Sequence, residues 1–405
     1  YNLPLSYLIS TILLRNALPS WWATLLQGHL AAFAQRAYRR PLTEAQRLSL
    51  NEYYLRAVEA TENREEAARE VIVRILVSSP FLFKAEPPGD EEPETRLDAW
   101  ELASRLSYFL WSSIPDDELA EAAADGSLLE PEKLDRQVRR MLADPKSAAL
   151  ATEFAGQWLG FRDFQENVTI DREVYPAFDD DLRDAMHREI NCFFTELVAR
   201  DLPITDVVQG DYTYLDQRLA DHYGFADFKP DPDGAEMVRW QVDQPRGGIL
   251  GMGAILASTA FPNRASPVRR GNWILQTILG REMPPVPADV PELAKAGPAR
   301  DLSLRARLEQ HRASDSCKGC HSRIDPPGFA LQNFDAIGRW SEADPEGRPI
   351  DATAELINGE KFTGPEGLKK HLVGQPLTIT SDASTHSTSL TLAPSFYDTP
   401  WAERS

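Results

Sequence analysis

Residues 317–321 read Cys-Lys-Gly-Cys-His, and this pentapeptide constrains the fold more than any other feature of the chain. Two thiols separated by two residues face one object where the backbone completes about one helical turn between them. The imidazole that follows then sits beside both. C-x-x-C-H is the attachment pattern of c-type haem: each thiol adds to a vinyl group, and the histidine stands beneath the iron as its proximal ligand. The segment is therefore expected to present Cys317 and Cys320 as thioether sites and His321 as an iron ligand, with a covalently bound haem c as cofactor.

Other uses of the motif are less well supported. A zinc site needs a fourth ligand, and no second C-x-x-C and no H-x-x-x-H supplies a pair. A redox dithiol needs a thioredoxin-like βαβ setting, which the surrounding pattern does not provide. The chain holds three cysteines in all, too few for a disulfide framework. The third, Cys192, lies in the apolar stretch "HREINCFFTEL" and reads as a buried, inert thiol.

The residues around the motif suggest a setting. Pro326 and Pro327 read as a rigid turn whose carbonyls accept the second ring N–H of His321. Phe329, Leu331, Phe334 and Trp340 suit a flat macrocycle and serve equally as ordinary core. Pro327 and Phe329 are taken as cofactor contacts. Arg269 and Arg270 are candidates for the haem propionates, although a solvated helix face accounts for either one. No methionine follows His321. Met283, on the Pro-rich loop, is the candidate sixth ligand, with an open or water-bound iron as the other reading. Met252 and His371 are weaker candidates. His311 is set aside: on one unbroken helix it stands roughly 15 Å from His321 at about 1.5 Å of rise per residue.

Beyond the motif the 405 residues read as mostly helical. Ala68, Ile72, Ile75 and Leu76 share a helical face that Pro80 closes. "IPDDELAEAAADGSLLEPEKLDRQVRRMLADP" reads as two helices joined at Gly126. Ala151, Phe154, Trp158 and Phe161 repeat at helical spacing, as do Met186, Ile190, Phe193 and Leu197; both stripes read as core. Hydrophilic and Pro-rich breaks suggest a helical segment at 1–83, a helical domain at 97–227 and a C-x-x-C-H module at 238–345. A partial domain with a Ser/Thr-rich tail, of weak β character or disordered, is expected at 346–405. The opening "YNLPLSYLISTILLRNALPSWWA" reads as a buried helix rather than a signal segment. No run of 18 apolar residues occurs, so no membrane span is expected. A formal net charge of −19 argues against a nucleic-acid partner.

The order of segments resembles the planctomycete-type cytochrome c proteins built from tandem domains of unknown function. "FAQRAYRRPLTEAQ" with "ILVSSPFLFKAE" resembles the first domain; "ELASRLSYFLWSSIPDDELAEAAADG" with "DYTYLDQRLADHYGF" is similar to the second. "RGGILGMGAILASTAFPNRASPVRRGNWIL", "PPVPADVPEL" and "CKGCHSRIDPPGFALQNFDAIGRW" resemble the third, which carries the haem motif. "DATAELINGEKFTGPEGLKKHL" looks like the start of a fourth. The first thirty residues and the tail after Gly374 depart from the family pattern, as truncated ends or a shifted reading frame would. The resemblance implies thioethers at Cys317 and Cys320, an axial His321, and export to the periplasm or beyond.

The fold class expected is mainly α: a helical N-terminal half, then a smaller, loop-rich, cytochrome c-like haem module. The function expected is electron transfer to or from a redox partner protein. A haem-dependent peroxidase or oxidase with an open iron site is the alternative, motivated by the large non-haem portion. An interaction scaffold with a metal-stabilised module is a third.

Overall fold

The computed structural model describes residues 20–83, 97–232, 236–242, 245–281, 302–313, 315–375, 377–380 and 389–392. The described residues are mainly helical, and their six short strands form three antiparallel pairs. The chain divides into two compact units, Tyr1–Lys146 and Ser147–Ser405. The division falls within the 97–227 stretch that reads as one domain in sequence.

The first unit begins with α1 (Ser20–Tyr38), α2 (Glu44–Thr61) and α3 (Arg64–Leu76). Local chemistry sets where they start. Thr43 and Gln46 form a reciprocal capping box on α2, and the Asn63 side chain accepts from the N–H groups of Glu65 and Glu66 on α3. Leu30, Ala34, Leu50, Tyr54, Ala57, Ala67, Ala68, Val71 and Ile75 interlock as the core. The buried face of α3 thus runs Ala68, Val71, Ile75, whereas Ile72 is half-buried and Leu76 exposed. Leu76 was misplaced because it lies a helical step beyond the stripe that Ile75 already closes. Nor does Pro80 end the helix: α3 stops at Leu76, and Pro80 lies within a separate helical turn, Ser79–Leu82.

Further along this unit are α4 (Ala99–Trp111), α5 (Asp117–Ala124) and α6 (Pro131–Ala143). Asp98 and Glu101 cap α4 reciprocally, and Asp116 caps α5. Gly126 adopts φ 75° between α5 and α6, so the expected joint is a left-handed turn that glycine takes without strain. The indole of Trp111 donates to the Met141 carbonyl at 2.8 Å, tying α4 to α6.

The second unit is built on α7 (Asp180–Ala199), which buries Met186, Ile190, Phe193 and Leu197 as their spacing predicts. Of the preceding stripe, Ala151, Trp158 and Phe161 are core and Phe154 is half-buried. Strand β1 (Tyr212–Leu215) pairs antiparallel with β2 (Val238–Gln241), and α8 (Gln217–Tyr223) follows β1. The Gly-rich stretch becomes α9 (Gly253–Ser258) and leads to α10 (Pro267–Trp273). Next come α11 (Leu304–Arg312) and α12 (Asp315–Phe329), which carries the Cys-His motif. The chain then forms the hairpin of β3 (Thr353–Glu355) and β4 (Lys361–Thr363), and α13 (Gly364–Val373). Within the Ser/Thr-rich end, β5 (Leu377–Thr380) pairs with β6 (Ser389–Leu392). Among the described residues no helix is long and apolar enough to cross a membrane.

Candidate functional site

Helix α12 holds the Cys-His motif within its first two turns. Cys317 is buried, Cys320 and His321 are partly exposed, and neither thiol is in a disulfide. The helical period then acts on the residues that follow. Four positions on, Asp325 lies on the same face as His321, and the two side chains meet at 2.9 Å between Nδ1 and Oδ1. Asp325 is completely buried, and its second oxygen, Oδ2, has no hydrogen-bond partner. With the carboxylate as acceptor, Nδ1 carries the proton and Nε2 keeps the lone pair. A buried carboxylate is a frequent orienting partner of a metal-bound imidazole.

This corrects the expectation for Pro326 and Pro327. They lie inside α12, in its final turns, rather than in a turn beyond it. Their carbonyls are therefore part of helical backbone, and the partner of His321 is Asp325. The i, i+4 spacing of His321 and Asp325 was legible in "HSRID".

The position of His311 is the larger correction. α11 ends at Arg312 and α12 starts at Asp315, so the segment is a helical hairpin and not one helix. Arg305 lies 4.5 Å over the ring of Phe329 near one end, and His311 meets His321 near the other. The two imidazole centroids are 5.0 Å apart with an interplanar angle of 81°.

Helix α10 fixes α12 from another side. A Cβ at Gly271 would stand 1.7 Å from the Ile324 carbonyl oxygen, and one at Gly328 would stand 1.9 Å from that of Pro267. The two backbones thus approach through reciprocal glycines. Arg270 is 1% exposed, and its guanidinium donates to the carbonyls of Leu331, Phe334 and Asp335 at 2.8, 2.7 and 2.6 Å. Burial pushes its pKa down to about 10. Arg269 donates to the Ala260 carbonyl at 2.6 Å and covers the ring of Phe261. Both arginines thus engage backbone carbonyls.

Pro327 and Phe329 are buried, and Leu331 and Phe334 belong to the core of this unit. Met252 is sealed in the same core. His371 stacks on Phe362 and pairs with Glu360 at 2.8 Å. Cys192 on α7 is half-buried, and burial pushes its thiol pKa up. Met283 lies outside the described residues.

A second polar cluster escaped sequence reasoning. Glu189 sits on the apolar face of α7 and is 1% exposed. It accepts hydrogen bonds from Thr213 Oγ1 at 2.6 Å and Tyr223 Oη at 2.7 Å, while Tyr223 Oη accepts from the Gly253 N–H. The Arg246 guanidinium lies 3.6 Å from the Tyr223 ring centroid and donates to the carbonyls of Gly251 and Gly338. Buried His222 makes a 2.7 Å contact from Nε2 to the Ile337 carbonyl, and Lys369 donates to those of Pro245 and Arg246. A carboxylate within the Met186–Leu197 stripe was the available signal. Sealed from solvent, the cluster ties α7, α8, α13 and the segment after α12 together.

Its titration is measurable. Burial raises Glu189 from 4.5 to about 7 and, with Arg339 and Arg246 nearby, lowers His222 from 6.5 to about 4. A carboxyl raised in the folded state withdraws stability as pH climbs from about 4.5 to about 7, because the unfolded chain ionises first. A histidine depressed in the folded state withdraws stability as pH falls from about 6.5 to about 4, because the unfolded chain protonates first. The opposed slopes offset each other in the native chain. Glu189→Gln is expected to expose the loss on acidification and His222→Gln the loss on alkalisation, each roughly 2–4 kcal/mol. Urea titrations across this pH range check both; parallel curves for the two variants would be the contrary result.

Three family models match the chain in tandem. PSD5, a protein of unknown function (DUF1595), matches residues 26–86; PSD4, a protein of unknown function (DUF1592), matches 97–225; and PSCyt3, a protein of unknown function (DUF1588), matches 246–344. They are tandem domains of unknown function associated with planctomycete cytochrome c, and the Cys-His motif falls within the third match. No curated protein and no solved structure matches the chain.

Proposed function

We propose that the chain is an exported c-type haem protein that passes electrons to or from a partner protein. One observation carries the reading. Cys317, Cys320 and His321 lie within two turns of α12, and a buried Asp325 holds the imidazole through Nδ1, which leaves Nε2 for the iron. The buried oxygen of Asp325 that lacks a hydrogen-bond partner fits the same purpose. Among the described residues no three His, Cys, Asp or Glu side chains are grouped as a metal ion requires.

Haem, when bound, supplies a one-electron iron couple. The protein's own contributions are local. Cys317 and Cys320 hold the macrocycle through thioethers, and His321 orients on the iron. Asp325 strengthens the imidazole as a donor, and α10 holds α12 in place through Gly271 and Gly328. The acidic chain suits a basic redox partner. The C-x-x-C-H motif and the tandem-domain resemblance support a periplasmic or otherwise exported location.

The test is a pyridine haemochrome spectrum of the full chain, exported alongside a cytochrome c maturation system. A c-type α-band that survives acid–acetone extraction is expected, and it should vanish when both cysteines become alanine. No band, with both thiols still reactive, would overturn the proposal. In the loaded protein, Asp325→Asn is expected to raise the reduction potential. Losing about 1 kcal/mol of preference for the ferric state corresponds to roughly 40 mV for one electron. Spectroelectrochemical titration checks the sign.

A further inference from the structure

We infer that a cavity in the first unit binds a small organic acid, a carboxylate carried on a flat ring. The site lies outside the Cys-His module and is independent of the haem reading. Its volume is about 380 Å³, and its walls come from the end of α1, the turn Ser79–Leu82 and the first two turns of α4. Ligand pockets usually span about 300–1,000 Å³, so this one suits a single small molecule.

Helical geometry gathers one wall. Trp100 and Ser104 stand one turn apart on α4 and share a face, and Arg105 flanks them. None of these three side chains has a hydrogen-bond or ion-pair partner among the described residues. Trp100 is half-buried, Ser104 is buried and Arg105 is exposed. On the opposite wall α1 ends, and Arg39 takes a left-handed turn at φ 58°. Its guanidinium donates to the carbonyls of Pro80 and Phe81 at 2.9 and 3.4 Å and lies 5.6 Å over the ring of Tyr108. Neutral groups thus hold this arginine, and they leave its charge uncancelled.

The carboxylate on the wall is already engaged. Glu101 accepts from the Asp98 N–H at 3.0 Å in the capping box, and Asp98 itself pairs with Arg40. Arg39 and Arg105 remain as two cations without an anion, on a chain whose formal net charge is −19. A carboxylate fits them, because a guanidinium offers paired donors that match its two oxygens. Trp100 adds an aromatic face and an indole N–H, and Tyr38 lines the other side. A flat, apolar body therefore uses the rings, whereas a bare anion uses the arginines alone.

The test is isothermal titration of the full chain with 2-naphthoate. The comparison probes are 2-naphthol, the same ring without the carboxylate, and inorganic phosphate, an anion without a ring. One saturable site is expected for 2-naphthoate, with each comparison probe at least about tenfold weaker. Arg105→Gln should weaken 2-naphthoate about tenfold at an unchanged urea midpoint, since that side chain is exposed and unpaired. Trp100→Leu should weaken it as well. Arg69→Gln removes an arginine of α3 that lies outside the cavity and should change nothing.

Absence of saturable binding below about 10 mM would overturn the assignment. Equal affinity for 2-naphthol would make the cavity merely apolar, and equal affinity for phosphate would make it a bare anion site; either result overturns it too. So would an Arg105→Gln protein that binds like wild type, or an Arg69→Gln protein weakened as much as Arg105→Gln. The three probes on wild type suffice should a variant not fold. None of these outcomes bears on haem content, so the cavity and the haem reading stand or fall separately.

Discussion

Replacing Arg270 with leucine is expected to lower the unfolding free energy of the second unit by roughly 3–5 kcal/mol, a large share of what a domain of this size possesses. The side chain is 1% exposed and donates to three carbonyls, those of Leu331, Phe334 and Asp335. All three follow α12 in the chain, so the guanidinium of α10 is what folds that segment back. Leucine removes the donors and leaves the acceptors in an apolar surround. Part of the loss is recovered, because the buried cation is itself costly; burial lowers its pKa to about 10, and Nε lacks a hydrogen-bond partner. Lysine is expected to rescue little, since one ammonium cannot reproduce a planar fork aimed at three oxygens. Urea midpoints followed by intrinsic fluorescence test this; a loss under 1 kcal/mol for leucine, or full rescue by lysine, would refute the role given to the fork.

The second large effect is expected at the reciprocal glycines. Gly271→Ala would drive a methyl to 1.7 Å from the Ile324 carbonyl, and Gly328→Ala would drive one to 1.9 Å from the Pro267 carbonyl. Both obstacles are backbone atoms of neighbouring helices, so neither yields by a rotamer change. Overpacking typically costs about 1–3 kcal/mol, and here the upper end or beyond is expected because a whole helix must shift. Ile324 lies between His321 and Asp325 in sequence, so any shift is transmitted to that pair. Both variants should therefore lower the urea midpoint and, on the proposed haem reading, also alter the haem spectrum. Gly319 is the matched control: an added Cβ there meets nothing within 4 Å, and alanine at that position should be nearly neutral for stability. Equal effects at Gly319 and Gly271 would show that the close approach is not what matters.

These effects mark how far the sequence could be read. Helix starts were legible because caps act over three or four residues, as at Thr43 with Gln46 and Asp98 with Glu101. The α7 stripe was legible because its period is that of the helix itself. The Cys317–His321 grouping was legible for the same reason. Asp325 was within reach, one helical turn beyond His321, but the two prolines drew attention to their carbonyls. Glu189 was passed over because apolar spacing alone does not show which polar side chain will meet Thr213 and Tyr223.

His311 shows the limit most clearly. A separation of ten residues means roughly 15 Å along one helix and 5.0 Å across a hairpin, and the choice turns on a break at 313–314. Ser314 followed by Asp315, residue types favoured at a helix start, was the available signal; α11 packs through Leu308 and Arg305 against the body of the second unit. Arg270 is similar, since a guanidinium at a helix surface and one serving three distant carbonyls look alike in sequence. Contacts within a turn or two are set by backbone geometry, which the local residues specify. Contacts between elements far apart in sequence are set by which surfaces lose water together, and that depends on the whole fold. The thiols and the orienting carboxylate of the site belong to the first kind; the second imidazole and the arginine that pins α12 belong to the other.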